Sequence, residues 1–199
     1  MSYADFTLDS AAAALGISVE PAVLFAQLAP VAAPVWLQEA LGRGLRQALV
    51  SEKARSEFIV VPILLATQEL SPKSLAIYSG QRLDVDPNQG LVGECDFILA
   101  AGAPLPTLRS PIMTVVEAKK NDVEGGIGQC FAQMAGARLF NQRSGQNGSE
   151  MYGCVTTGED WQFLKLAGSL GQIDQGRYYI DNVGGILAVF EAIVARATS

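Results

Sequence analysis

The feature that most constrains the fold is a change of apolar period between residues 112 and 157. IMTVVEAKK (112–120) is the most β-like run in the chain, with Val115 and Val116 ahead of Glu117. NDVEGGIGQCFAQMAGARLFNQ (121–142) then returns to helical spacing through Ile127, Phe131, Met134 and Leu139. MYGCVTTGEDWQFLKLAG (151–168) reads as a hairpin, with Gly158-Glu159-Asp160 near its turn. A strand, a helix and a returning strand in one stretch make a parallel crossover, which strand twist favours in the right-handed sense.

The flanking segments extend this reading. Before the crossover, LAIYSGQRLDV (75–85) is an extended strand with Gly80 as a possible bulge, and Pro87-Asn88-Gln89-Gly90 is a turn. LVGECDFILA (91–100) is a second strand. SEKARSEFIVVPILLATQE (51–69) predicts a longer helix, kinked or restarted at Pro62. Residues 8–50 read as helices in three pieces, LDSAAAALGI, PAVLFAQLA and VWLQEALGRGLRQALV, separated by prolines. RYYIDN (177–182) is a short strand or connector, and VGGILAVFEAIVARA (183–197) closes the chain as an amphipathic helix. The expected fold is α/β, a central mixed sheet flanked by helices. Residues 1–50 form an N-terminal helical extension and residues 51–199 the main domain.

Composition narrows the chemistry. The 199 residues include no histidine. That removes Ser-His-Asp and Cys-His catalysis, histidine-bound zinc and any imidazole base. Hydrolysis must run on carboxylates, lysine, hydroxyls and a hard metal ion. Cys95, Cys130 and Cys154 are odd in number and lack CxxC spacing, so they read as reduced core thiols. Trp36 and Trp161 read as packing residues. The net charge of −6 opposes broad non-specific binding to nucleic acid. Lys119, Lys120, Arg138 and Arg143 are the basic residues expected near a site, and as a DNA patch they are thin. No run of ~18 apolar residues is free of charge, glycine or proline, so no membrane span is expected. The opening MSYADFTLDS has no basic n-region, and the expected location is cytoplasmic.

The chemistry centres on Asp96, Glu117 and Lys119. Side chains alternate along a strand, so Glu117 and Lys119 share a face with Val115, and Asp96 shares one with Glu94 and Ile98. If the two strands are neighbours, Asp96 approaches Glu117 at one end of the sheet. Carboxylates that close repel unless a cation sits between them. Oxygen ligands of this kind suit Mg²⁺ or Mn²⁺, and the ion activates water and neutralises phosphoryl charge. Lys119 is placed to orient the water or to stabilise that charge. Taken alone, Glu117 and Lys119 read as a surface ion pair worth under ~1 kcal/mol. Asp96, inside an apolar strand, must reach solvent, a partner or a metal.

An aspartate on one strand, twenty residues, then Glu-Ala-Lys on a β-rich strand resembles the PD-(D/E)XK, or restriction-endonuclease-like, nuclease superfamily. Gly93-Glu94-Cys95-Asp96-Phe97-Ile98 is similar to its G-x-x-D-aromatic-aliphatic strand, and Val116-Glu117-Ala118-Lys119-Lys120 to its E-x-K strand. Residues 151–164 resemble the hairpin after the helix in the nuclease domain of type I restriction motor subunits. The position before Asp96 is Cys95 where the name-giving motif has proline. The resemblance covers roughly residues 50–195 and implies a restriction-endonuclease-like fold. It further implies Mg²⁺ or Mn²⁺ held by Asp96, Glu117 and the Ala118 carbonyl, with DNA as substrate and no organic cofactor. Gln129, twelve residues beyond Glu117, resembles the glutamine many members carry beside the catalytic residues. Members often add a glutamate from the preceding helix as a metal ligand; Glu52 and Glu57 both qualify. Five residues apart, they do not share one helical face well.

The expected activity is Mg²⁺-dependent hydrolysis of DNA phosphodiester bonds by an endo- or exodeoxyribonuclease, for which a homodimer is sensible. Two other readings stay open. One is a catalytically degenerate module of the same fold that binds nucleic acid or protein. The other is a small-molecule phosphoester hydrolase using the same metal chemistry. Asp122 and Glu124 read as favouring a helix N-terminus, Gln129 and Gln133 as a polar helix face, and residues 124–128 as a tight turn into the helix.

Overall fold

The computed structural model describes residues 1–146, 148 and 150–197. Its helices are α1 (Leu8–Leu15), α2 (Val35–Gly44), α3 (Glu52–Arg55), α4 (Val61–Leu70), α5 (Val123–Arg143) and α6 (Val183–Ala197). Its strands are β1 (Ser18–Ala22), β2 (Leu75–Arg82), β3 (Glu94–Ala101), β4 (Ile112–Ala118), β5 (Glu150–Thr156), β6 (Asp160–Ala167), β7 (Leu170–Asp174) and β8 (Tyr178–Tyr179). They form one mixed eight-stranded sheet in the order β1-β7-β6-β5-β4-β3-β2, with β8 pairing the start of β6. β4 and β5 are parallel with α5 between them, as the period change predicts. β1 and β7 are also parallel, and the remaining pairs are antiparallel.

The sheet separates two apolar cores. On one face Phe97, Leu99, Val116, Ala118 and Phe163 pack with Leu37 of α2, Ile63 and Leu64 of α4, and Phe190 of α6. On the other, Ile98, Val115 and Val155 pack with Cys130 and Phe131 of α5 and with Tyr3, Phe6 and Ala11 near the start of the chain. β4 is buried along its whole length because helices cover both faces, which is why its sequence is apolar without alternation. All three cysteines are free and buried, and Trp161 is fully buried.

Residues 1–50 differ from the helical extension expected. PAVLFAQLA is not a helix: Pro21 and Ala22 end β1, which completes the sheet beside β7. Pro21 is tolerated because β1 is an edge strand, where a missing N–H leaves no ladder bond open. α1 lies on α5, so closely that a Cβ at Gly128 would fall 2.2 Å from the Thr7 carbonyl carbon. The first fifty residues are therefore part of both cores and of the sheet.

Pro62 acts as its chemistry predicts. Ser56–Val60 form a π-helical segment between α3 and α4, so the helix changes pitch just before the residue that lacks an N–H. Gly80 is not a bulge. The β2–β3 register runs unchanged from Ser79 opposite Phe97 to Gln81 opposite Cys95, and Gly80 takes a left-handed φ of 60° between them. The irregularity lies one strand further on, at Leu99/Ala100 against β4. Residues 124–128 are not a turn but the first turns of α5, capped by Asp122, whose carboxylate accepts from the Gly125 N–H at 2.9 Å. No helix among the described residues is long and apolar enough to cross a membrane.

Candidate functional site

The register that joins β3 to β4 creates the site. Phe97 faces Val116 and Ile98 faces Val115, so Asp96 and Glu117 fall at the next opposed position, just where pairing stops. Opposed residues of antiparallel strands project from the same face. With β4 still paired to β5 but no longer to β3 there, Asp96 takes over the ladder bond on the β3 side: its Oδ2 accepts from the Ala118 N–H at 2.7 Å. Lys119 continues β4 through its own N–H, which donates to the Thr156 carbonyl at 2.7 Å.

Glu117 is 3 % exposed, and each of its oxygens carries a donor. Lys119 Nζ lies 2.8 Å from Oε1, and Gln133 Nε2 donates to Oε2 at 2.7 Å. Lys119 Nζ also donates to Gln129 Oε1 at 2.9 Å. Two glutamines one turn apart on α5 thus hold the two members of one ion pair. The Lys119 stem crosses α5 at Gly126, where a Cβ would sit 3.1 Å from its Cε and 2.6 Å from Val155 Cγ1.

Burial, then repulsion from Asp96, pushes the Glu117 carboxyl up to about 7. Burial also raises Asp96, against the Ala118 N–H and Lys119, with Glu52 and Glu94 adding repulsion. For Lys119, burial acts to lower its pKa. The facing Glu117, with Glu52 and Asp96, outweighs it and holds the ammonium above its usual range. Two carboxylates share one ammonium, so the cluster carries one excess negative charge in a poorly solvated place. A bound proton or a cation relieves it.

Among the candidate ligands from the helix before the sheet, Glu52 reaches inward: its Oε1 accepts from the Lys120 N–H at 3.3 Å. Glu57 is held by Lys53 at 2.9 Å. Both line a cleft of about 400 Å³ with Ser56, Ser79, Glu94 and Asp96. The π-helical segment shifts the helical phase after Glu52, so residues five apart can border one opening.

The donor set suits a hard divalent ion: the buried carboxylate of Glu117 and the half-buried one of Asp96, with excess negative charge, and the Ala118 peptide between Glu117 and Lys119. Among the described residues no three carboxylate or thiol side chains converge as a metal cage. Such an ion would depend on Asp96, Glu117, a backbone carbonyl and several waters, the coordination Mg²⁺ tolerates well. No protein-family model matches the chain, and no curated protein is detectably similar to it.

Two expected basic residues are elsewhere. Arg138 and Arg143, on the later turns of α5, donate to the carbonyls of Gly168 and Val85. Arg55 and Arg177 flank the β5–β6 turn instead. Arg55 binds the Thr157 carbonyl and Glu159, and Arg177 bridges Asp160 and Glu124. Gln133 is the site residue that sequence reading underrated. It is fully buried, and the four-residue spacing from Gln129 was its only signal.

Proposed function

We propose that this chain is a divalent-metal-dependent phosphodiesterase of the restriction-endonuclease-like type, acting on DNA. The observation that carries the reading is the opposed pair Asp96 and Glu117 at the end of two adjacent strands, with Lys119 bound to Glu117. Asp96, Glu117 and the Ala118 carbonyl would hold Mg²⁺ or Mn²⁺, with Glu52 nearer than Glu57 for a further contact. When bound, the ion would acidify a water and neutralise charge on a phosphoryl oxygen.

The protein's own groups divide the remaining work. Lys119, kept protonated by its carboxylate neighbours, is a donor and not a base: it orients the attacking water and stabilises charge gathering on the phosphate. Gln129 fixes the ammonium from the other side. Asp96 is locked by the Ala118 N–H, so its free oxygen keeps one direction.

The test is Mn²⁺ titration calorimetry on wild type and Asp96→Ala, with cleavage of plasmid and single-stranded DNA in Mg²⁺ or Mn²⁺. The reading expects metal binding and cleavage in wild type and loss of both in the variant. Equal heats in the two proteins would discard it in favour of a catalytically degenerate module. That second reading draws support from the donors already on both Glu117 oxygens and from Lys53, Arg55 and Arg177 being committed to ion pairs. Metal binding without cleavage of either DNA would favour a small phosphoester substrate.

A further inference from the structure

Gln133 is fully buried, yet only half of its amide is used. Nε2 donates to Glu117 Oε2 at 2.7 Å, while its own Oε1 is buried with no hydrogen-bond partner. An unpaired buried carbonyl oxygen is destabilising, and an apolar side chain of the same length would avoid it. Neighbouring positions on α5 are the buried Cys130, Ala132, Met134 and Ala137, all in the apolar core.

We infer that Gln133 is the positioning residue for Glu117, fixing the carboxylate so that Oε1, the oxygen that carries Lys119, is the one presented for chemistry. The inference rests on the metal-dependent reading of the site. Without Gln133, Glu117 keeps one donor, Lys119, on a flexible four-carbon stem, and its carboxylate is free to turn within the apolar core. Gln129, one turn earlier, makes a different contribution: it accepts from Lys119, the other member of the ion pair. The two glutamines therefore separate by variant. One aims the carboxylate and the other aims the ammonium.

The experiment compares Gln133→Met, Gln129→Met and Asp96→Ala with wild type by thermal unfolding, Mn²⁺ titration calorimetry and a metal-free crystal structure of Gln133→Met. Gln133→Met is expected to unfold cooperatively, because removal of the orphaned oxygen offsets part of the cost of losing the donor on Glu117 Oε2. It should bind Mn²⁺ at least ten-fold more weakly and show Glu117 rotated from its wild-type position. Gln129→Met should leave Mn²⁺ affinity within about three-fold. If Glu117 keeps its place in the metal-free Gln133→Met structure, the positioning role is overturned whatever the metal data show. Unchanged Mn²⁺ affinity in Gln133→Met, while Asp96→Ala loses binding, overturns it equally. Absence of binding in wild type and Asp96→Ala alike defeats the metal-dependent reading itself, a failure recognisable because the rotation of Glu117 is read without metal.

Discussion

The excess negative charge at Asp96, Glu117 and Lys119 has a consequence for stability. Glu117 is pushed from its ordinary value near 4.5 to about 7 in the folded chain. A raised carboxyl pKa means the folded state holds the proton more tightly than the unfolded one. The resulting stabilisation is complete below about 4.5 and is lost as pH rises through about 7. At 1.36 kcal/mol per pKa unit, the loss is on the order of 3 kcal/mol. Denaturant midpoints in chelator should therefore fall between pH 5 and pH 8, and Glu117→Gln should flatten that fall and exceed wild type at pH 8. Lys119→Ala should behave oppositely, losing stability at pH 8 because Glu117 is left buried with its charge uncompensated. If the chain cleaves DNA as proposed, the same variant should lose roughly 10²–10⁴-fold in rate. Asp96, Glu117 and Lys119 were legible in sequence because an acid inside CDFIL and a charged pair after Val115-Val116 conflict with plain burial. Gln133 was not, since nothing in GQCFAQMAG distinguishes a glutamine facing a carboxylate from one facing water.

At the scale of elements, α5 does more than cover the sheet. Its first half delivers Gln129 and Gln133 to the site, and its last turns hold the start of β4. There the Asn141 side chain accepts from the Ile112 N–H at 2.8 Å and donates to the Ile112 carbonyl at 2.7 Å. Asn141 thus stands in for a strand partner at the point where β3 and β4 slip register. Glycines let α5 approach its neighbours, and methyl groups there should be costly. Gly128→Ala would drive a Cβ into the Thr7 backbone and should destabilise by about 3 kcal/mol, measured by urea unfolding. Gly126→Ala meets Val155 and the Lys119 stem, and should weaken Mn²⁺ binding as well as stability. Crossover, hairpin and closing helix could be read from apolar period because each runs long enough to show it. β7 could not: LGQID is five residues with a glycine and alternating polarity, and it is a strand because β6 on one side and β1 on the other supply its hydrogen bonds.

For the whole molecule, the first fifty residues belong to the fold. Tyr3 donates its hydroxyl to the Leu83 carbonyl at 2.8 Å, and Tyr3 and Phe6 sit in the core beneath α5. A chain starting at residue 51 loses β1, α1, α2 and part of each core. It should fail to show cooperative thermal unfolding or to give dispersed amide resonances. A free-standing helical extension would instead leave both intact. Residues 18–22 misled a reading by period because Pro21 and the helix-compatible AVLFAQLA mask an edge strand whose identity is decided by β7. β1 also links early synthesis to late: Ser18 pairs with Leu170, about 150 residues downstream. At ribosomal speeds of about 5–20 residues per second, Ser18–Ala22 waits roughly 8–30 s for its partner to emerge. Until then Ser18–Ala22 has no strand beside it, whereas Tyr3 and Phe6 gain their cover earlier, as soon as β3 and α5 have emerged.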